Sequence, residues 1–93
     1  MNIDVLHDQD KGKFYTTVAG HEALMEYRDI GEGRLDFYHT YVPAELRGQK
    51  IAFYLVQAAL QFAKKNGYAV IPSCSYVARF FDRHPEYASV KAR

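Results

Sequence analysis

Apolar and polar positions alternate along residues 1–42, and between Ile51 and Lys65 the period changes to that of a helix. Ile3-Asp4-Val5-Leu6-His7 reads as a first strand, followed by a polar turn through Asp8, Asp10 and Gly12. Residues 13–19 are rich in aromatic and β-branched side chains and predict a second strand, which Gly20-His21 turns back into a third over 23–28. Gly31-Glu32-Gly33 makes the next turn. The fourth strand, over 34–42, places Leu35, Phe37, His39 and Tyr41 on one face and Asp36, Tyr38, Thr40 and Val42 on the other.

Ile51, Leu55, Ala59 and Phe62, joined by Ala52, Val56 and Ala63, recur at helical spacing. Lys64 and Lys65 suit the negative end of that helix, and Asn66-Gly67 stops it. Residues 68–71 form a short apolar run of strand length ended by Pro72. A second helix spans Tyr76 to His84 and breaks at Pro85.

A strand, a crossover helix and a further strand in one sheet make the fourth and fifth strands parallel. The three preceding reversals are antiparallel, so the expected class is α+β with an α/β-like β-α-β unit in a mixed, mostly antiparallel sheet. Ligands in such folds bind beyond the carboxyl ends of parallel strands, where residues 42–48 and 72–76 converge.

At 93 residues the chain is the length of a single domain over 1–93, with no linker or internal repeat. Its one cysteine, Cys74, has no intrachain partner. With no run of about 18 apolar residues, no membrane partner is expected, and a reducing cytoplasmic setting is the default. A net charge of +1 gives no support for nucleic-acid binding. The charge is nevertheless segregated: residues 1–36 hold four Lys/Arg against eight Asp/Glu, and residues 37–93 hold eight against three. The basic part contains the best candidate site and suits a compact polyanion.

That candidate runs from Tyr41 and Val42 through Arg47-Gly48-Gln49-Lys50 into Ile51 and Ala52, where a strand meets a basic turn that opens a helix. First-turn amides lack intrahelical partners and carry the positive end of the macrodipole, which favours a phosphate. Gly48 permits close approach, and Arg47 and Lys50 can add charge-assisted hydrogen bonds. The same residues also fit a polar helix start with ordinary surface cations.

The junction carries a resemblance. The chain resembles the GCN5-related N-acetyltransferases (GNAT), in particular their minimal, roughly hundred-residue branch, most specifically from Val42 to Tyr87. In that superfamily a turn of pattern Gln/Arg-x-x-Gly-x-Gly/Ala holds the pyrophosphate of acetyl-CoA. Arg47, Ile51 and Ala52 fit it and Gly48 fits the common Arg-Gly opening, while Lys50 stands where the middle glycine is usual. The segment Pro72-Ser73-Cys74, the aromatic helix after it and His84-Pro85-Glu86-Tyr87 resemble the second block of the minimal branch.

The resemblance implies the minimal GNAT acyl-CoA N-acyltransferase fold, acetyl-CoA as co-substrate and an amine acceptor on a protein, peptide or small molecule. It implies cofactor contacts from the turn residues and an oxyanion donor at the backbone of Val42 or its neighbour. The tyrosine that larger relatives use to protonate the CoA thiolate falls at Phe80-Phe81, so that acid is missing here. A CoA-binding or protein-interaction module without efficient chemistry is the alternative.

Cys74, at the end of the fifth strand, can accept the acetyl group, protonate the thiolate or simply line the pocket. A neighbouring helix N-terminus together with Arg79 or Arg83 would lower its pKa. Tyr41 and Tyr76 either pack on the pantetheine or fill the core, and Phe80 belongs to the same aromatic helix. His39 and Asp36 are the available bases, with His39 read as a partly buried, satisfied histidine beside Leu35 and Phe37. His84 reads as a structural cap. No His/Cys/Asp/Glu spacing supports a metal site.

Overall fold

The computed structural model describes residues 3–93. The element order is β1 (Leu6–Asp8), β2 (Lys13–Val18), β3 (His21–Gly31), β4 (Arg34–Tyr41), η1 (Ala44–Leu46), α1 (Ile51–Lys65), β5 (Ala69–Ile71), α2 (Ser75–Arg83) and η2 (Pro85–Val90), where η marks a 3-10 turn. The five strands form one sheet in sequence order, antiparallel from β1 to β4 and parallel between β4 and β5. This is the expected mixed α+β sheet with its β-α-β unit. No helix among the described residues is long and apolar enough to cross a membrane.

Several boundaries differ from the sequence reading. The first strand starts at Leu6 rather than Ile3, because only Leu6, His7 and Asp8 find partners on β2. The first hairpin turns at Ala19-Gly20, one residue early: Val18 pairs with His21, and both loop residues have positive φ, the backbone twist that two-residue hairpins need. The second turns at Glu32-Gly33 by the same geometry. The chain after Pro85 continues as η2, and Lys91 adds a parallel bridge to Val70 at the β5 edge.

The register places Phe14, Thr16, Ala23, Met25, Tyr27, Leu35, Phe37 and Val70 on one buried face. Leu55, Val56, Ala59, Leu60 and Ala63 of α1, with Val77, Phe80 and Phe81 of α2, complete that core. Burying those apolar side chains contributes about 1.5–3 kcal/mol for each large one, which exceeds what helix propensity supplies. On the opposite face no strand residue is fully buried.

A β-bulge in β4 matters most for the site. Glu26 pairs with His39 while Tyr27 pairs with Phe37, so Tyr38 is an extra residue without a partner. Past it the alternation inverts: Thr40, opposite Met25, joins Leu35 and Phe37 on the core face, whereas His39 and Tyr41 move to the open face. The expected grouping of Leu35, Phe37, His39 and Tyr41 is therefore corrected, and His39 is exposed rather than partly buried.

Candidate functional site

The β4–β5 pairing covers only Arg34 to Asp36 against Ala69 to Ile71, although β4 runs on to Tyr41. One further link, from the Cys74 amide to the Phe37 carbonyl at 3.0 Å, closes the paired region. Beyond it the two segments part, with the start of α1 on one side and the start of α2 on the other.

At the α1 start Lys50 is the N-cap residue, with φ 61° and ψ 24°. A left-handed backbone at a non-glycine residue costs about 1–2 kcal/mol, which gives a physical reason for a glycine at this point of the turn. Gly48 has φ 84°, and a Cβ placed on it meets no atom within 4 Å. The turn is thus open on the side where a ligand would come close. The amides from Gly48 through Phe53 donate to no protein acceptor among the described residues; the first helical bond runs from the Tyr54 amide to the Lys50 carbonyl at 3.2 Å. Arg47 is tethered by its Nε–H to the Val42 carbonyl at 3.4 Å, and the remaining N–H groups of its guanidinium have no protein partner among the described residues. An uninterrupted row of free amides, two cations and an open glycine fit a diphosphate.

Two adjoining clefts flank this turn. The smaller, about 230 Å³, is bounded by Val42, Leu46, Arg47, Gly48, Lys50, Ile51, Ala52, Phe53 and Tyr76. The larger, about 430 Å³, lies between α1 and α2 and is bounded by Lys50, Phe53, Tyr54, Tyr76, Arg79, Phe80, Arg83 and His84. Lys50, Phe53 and Tyr76 belong to both, so the clefts form one continuous depression.

Cys74 is the N-cap of α2 and half-buried, two residues from Tyr76. Its Sγ donates to Thr40 Oγ1 at 3.5 Å. Burial, the largest single influence, pushes the thiol up. In the thiolate form the Thr40 hydroxyl turns to donate to the sulfur, and with the amides of Val77, Tyr76 and Thr40 it outweighs burial, so the pKa is lowered from its ordinary value. Arg79 and Arg83, expected to act on this thiol, act instead on Tyr76. Burial pushes the Tyr76 phenol up against the pull of Arg83 and Arg79, so it remains a hydrogen-bond donor at neutral pH.

The structure therefore brings Val42, Arg47, Gly48, Lys50, Ile51, Ala52, Tyr76 and Phe80 to one depression, with Cys74 beside it. Two expected contacts lie elsewhere. The Tyr41 side chain, 49% exposed, is turned to the open sheet face by the bulge. Gln49 lines a separate groove with Ile3, Asp4 and residues 16–19. Neither His39 nor Asp36 lines the clefts; Asp36 Oδ1 is buried without a hydrogen-bond partner among the described residues. His84 makes no side-chain cap, and its ring packs on Phe80 at 4.3 Å as a wall of the larger cleft. Phe53, Tyr54 and Thr40 were not singled out as site residues. The helical period offered Phe53 and Tyr54 as polar-side aromatics in the first turn, but Thr40 carried no signal before the bulge was known.

A family model described as GCN5-related N-acetyltransferase matches residues 13–90. The chain belongs to that family. Protein NATD1 of Danio rerio is 31% identical over 89 residues, covering 91% of this chain and 81% of its own length. Protein NATD1 of Homo sapiens is 32% identical over 85 residues, covering 89% and 75%. The NMR solution structure of a GCN5-like protein from Staphylococcus aureus superposes with a TM-score of 0.78 at 26% identity, over 98% of this chain and 89% of that one. In this GNAT chain, the similarity to that neighbour extends over nearly the whole described fold, the β-α-β unit included.

Proposed function

We propose that the protein is an acetyl-CoA-dependent N-acetyltransferase acting in the cytoplasm on an amine of a protein, peptide or small molecule. The observation that carries this reading is the row of free amides from Gly48 to Phe53, opening onto the paired clefts with Cys74 beside them. Family membership and the TM-score of 0.78 to a GCN5-like protein support it.

Bound acetyl-CoA supplies an activated acetyl thioester. The amides of the α1 turn, with Arg47 and Lys50, hold its diphosphate; Val42, Ile51, Ala52, Tyr76 and Phe80 line the path of the remainder. Cys74 has the lowered pKa and the Thr40 hydrogen bond suited to either of two roles, acceptor of the acetyl group or donor of the proton that the departing thiolate needs. The open sheet face leaves the acceptor side unroofed, which suits a peptide or protein amine.

A second reading, a CoA-binding module with little chemistry, draws on a specific observation. Phe80 and Phe81 are both buried where a phenolic acid would stand, and no carboxylate lines either cleft among the described residues. Titrating CoA and acetyl-CoA by calorimetry, followed by thiol release in the presence of basic peptides and small amines, distinguishes the readings. Saturable binding with turnover supports the transferase, and binding without turnover on any amine supports the module. No saturable binding at millimolar cofactor would sink both.

A further inference from the structure

The sheet face that carries no helix has an order of its own. Strand register sets Leu6, Tyr15, Leu24 and Tyr41 side by side across β1 to β4. Leu6 is 51% and Tyr41 49% exposed, and Tyr15 and Leu24 between them are half-buried. The bulge at Tyr38 completes this apolar row, since unbroken alternation would turn Tyr41 toward the core. One step along the strands lies a second row, Asp8, Lys13, Glu26 and His39, in which acidic and basic groups alternate. On the other side of the apolar row Thr17 pairs with Glu22. Lys13 Nζ leans over the Tyr15 ring at 4.8 Å and meets Glu22 at 3.2 Å, an exposed pair that contributes little to stability. Glu26 has no ion-pair partner among the described residues.

Two sheets packed face to face keep their strands within about 30° of each other, and in a closed pair of identical chains every contact is made twice. A two-fold axis parallel to the strands, running between β2 and β3, sets β1 against β4 and β2 against β3 of the second copy. The apolar row then lies on its own image. Lys13 faces the opposing β3, which carries Glu22 and Glu26, and Asp8 faces the opposing His39. An axis running across the strands also stacks the apolar rows, but it brings Glu26 against the opposing Glu22, and like charges in contact are costly. The charge pattern therefore selects the first arrangement. We infer that the open face docks a second copy of this chain, as a two-fold dimer in which Lys13 of each copy meets Glu26 of the other. Four strands about 4.8 Å apart and three rows about 6.8 Å apart make roughly 400 Å² in plan, the low end for a specific interface, so the dimer is weak and reversible. In this arrangement β5 faces no strand of the second copy, which leaves the gap between β4 and β5 approachable from that side. The inference does not depend on the CoA reading.

Sedimentation between about 10 µM and about 1 mM protein is expected to show the mass rising from 10.7 kDa toward twice that value. Lys13→Glu sets acid against acid across the dimer and Glu26→Lys sets cation against cation, so each variant alone should self-associate at least about tenfold more weakly. Mixing the two variants should restore dimerisation, because each copy then offers the charge that the other lacks. Amide NMR signals of Tyr15 and Leu24 should shift on dilution of the wild-type protein, while those of Lys64 and Lys65, at the end of α1, stay in place. A mass of 10.7 kDa over the whole range overturns the inference, as does a dimer that both single variants leave intact or that the mixture fails to restore. Shifts at Tyr15 and Leu24 produced by a lysine-rich peptide and not by dilution would assign the face to an acceptor, and overturn the inference equally.

Discussion

Cys74 Sγ and Thr40 Oγ1 meet at 3.5 Å, although 34 residues separate them and simple alternation along β4 would turn Thr40 away from the core. The extra residue at Tyr38 brings Thr40 round to the face on which α2 begins, and the Cys74 amide is bonded to Phe37 on the same strand. A bulge in the sheet thereby sets the environment of the single thiol.

That contact predicts a reactivity change. Thr40→Val removes a hydrogen bond to the thiolate, so the midpoint of Cys74 alkylation against pH should move upward, while Thr40→Ser should keep it near the wild-type position. Rates with iodoacetamide across pH 6–10 measure this. An unchanged profile in the valine variant would show that the Thr40 hydroxyl has no hold on the thiol.

Cys74 itself separates enzyme from binder. Should it accept the acetyl group, acetyl-CoA without an acceptor adds one acetyl mass, removable by hydroxylamine, and Cys74→Ala loses both the adduct and turnover. A purely acidic role predicts that Cys74→Ser keeps CoA affinity and slows transfer by about 10²-fold or more. Intact mass spectrometry and thiol release read these outcomes; full turnover by the alanine variant would assign Cys74 to packing.

Lys50 couples stability and binding with opposite signs. Lys50→Gly relieves a left-handed backbone and should raise stability by about 1 kcal/mol, seen as a higher denaturation midpoint. The same change removes a cation from both clefts and should weaken CoA by about 1–3 kcal/mol. Gly48→Val should lose binding through the side chain that now fills the open space, along with some stability from its φ of 84°. A glycine variant with tighter CoA binding would argue that Lys50 points away from the phosphates.

Far from the clefts, His7 Nε2 lies 2.6 Å from the Tyr27 hydroxyl, and its ring stacks on Phe14 at 3.9 Å. Burial lowers the His7 pKa, only partly offset by Asp8. The neutral ring is favoured in the folded state, so this contribution is fully present above the unfolded pKa of about 6.5 and is lost as pH falls through the lower folded value. Melting temperature should drop between pH 7 and pH 5, and His7→Phe should flatten that part of the profile. A slope unaffected by the substitution would place its origin in another group.

The two levels of organisation divide along the range of the forces involved. Local periodicity sufficed for β2 and α1, because alternation and the 3.6-residue repeat are properties of neighbouring side chains that each element buries on one face. The helix-opening turn was legible for the same reason: Arg47, Gly48 and Lys50 act through the backbone within a few residues of themselves. Alternation alone puts Thr40, Tyr41 and His39 on the wrong faces, since the pattern through Leu35, Phe37, His39 and Tyr41 is unbroken in sequence and the bulge exists only in pairing with β3. Sequence proximity ties Arg79 and Arg83 to the pKa of Cys74, whereas the docking of α2 beside the start of α1 makes them the wall of a cleft and turns their charge on Tyr76. The chain by itself thus determined its elements, its basic turn and its lone thiol. The tertiary structure decided which of those groups share a space, because strand register and helix docking depend on contacts between residues far apart in sequence, which no local pattern encodes.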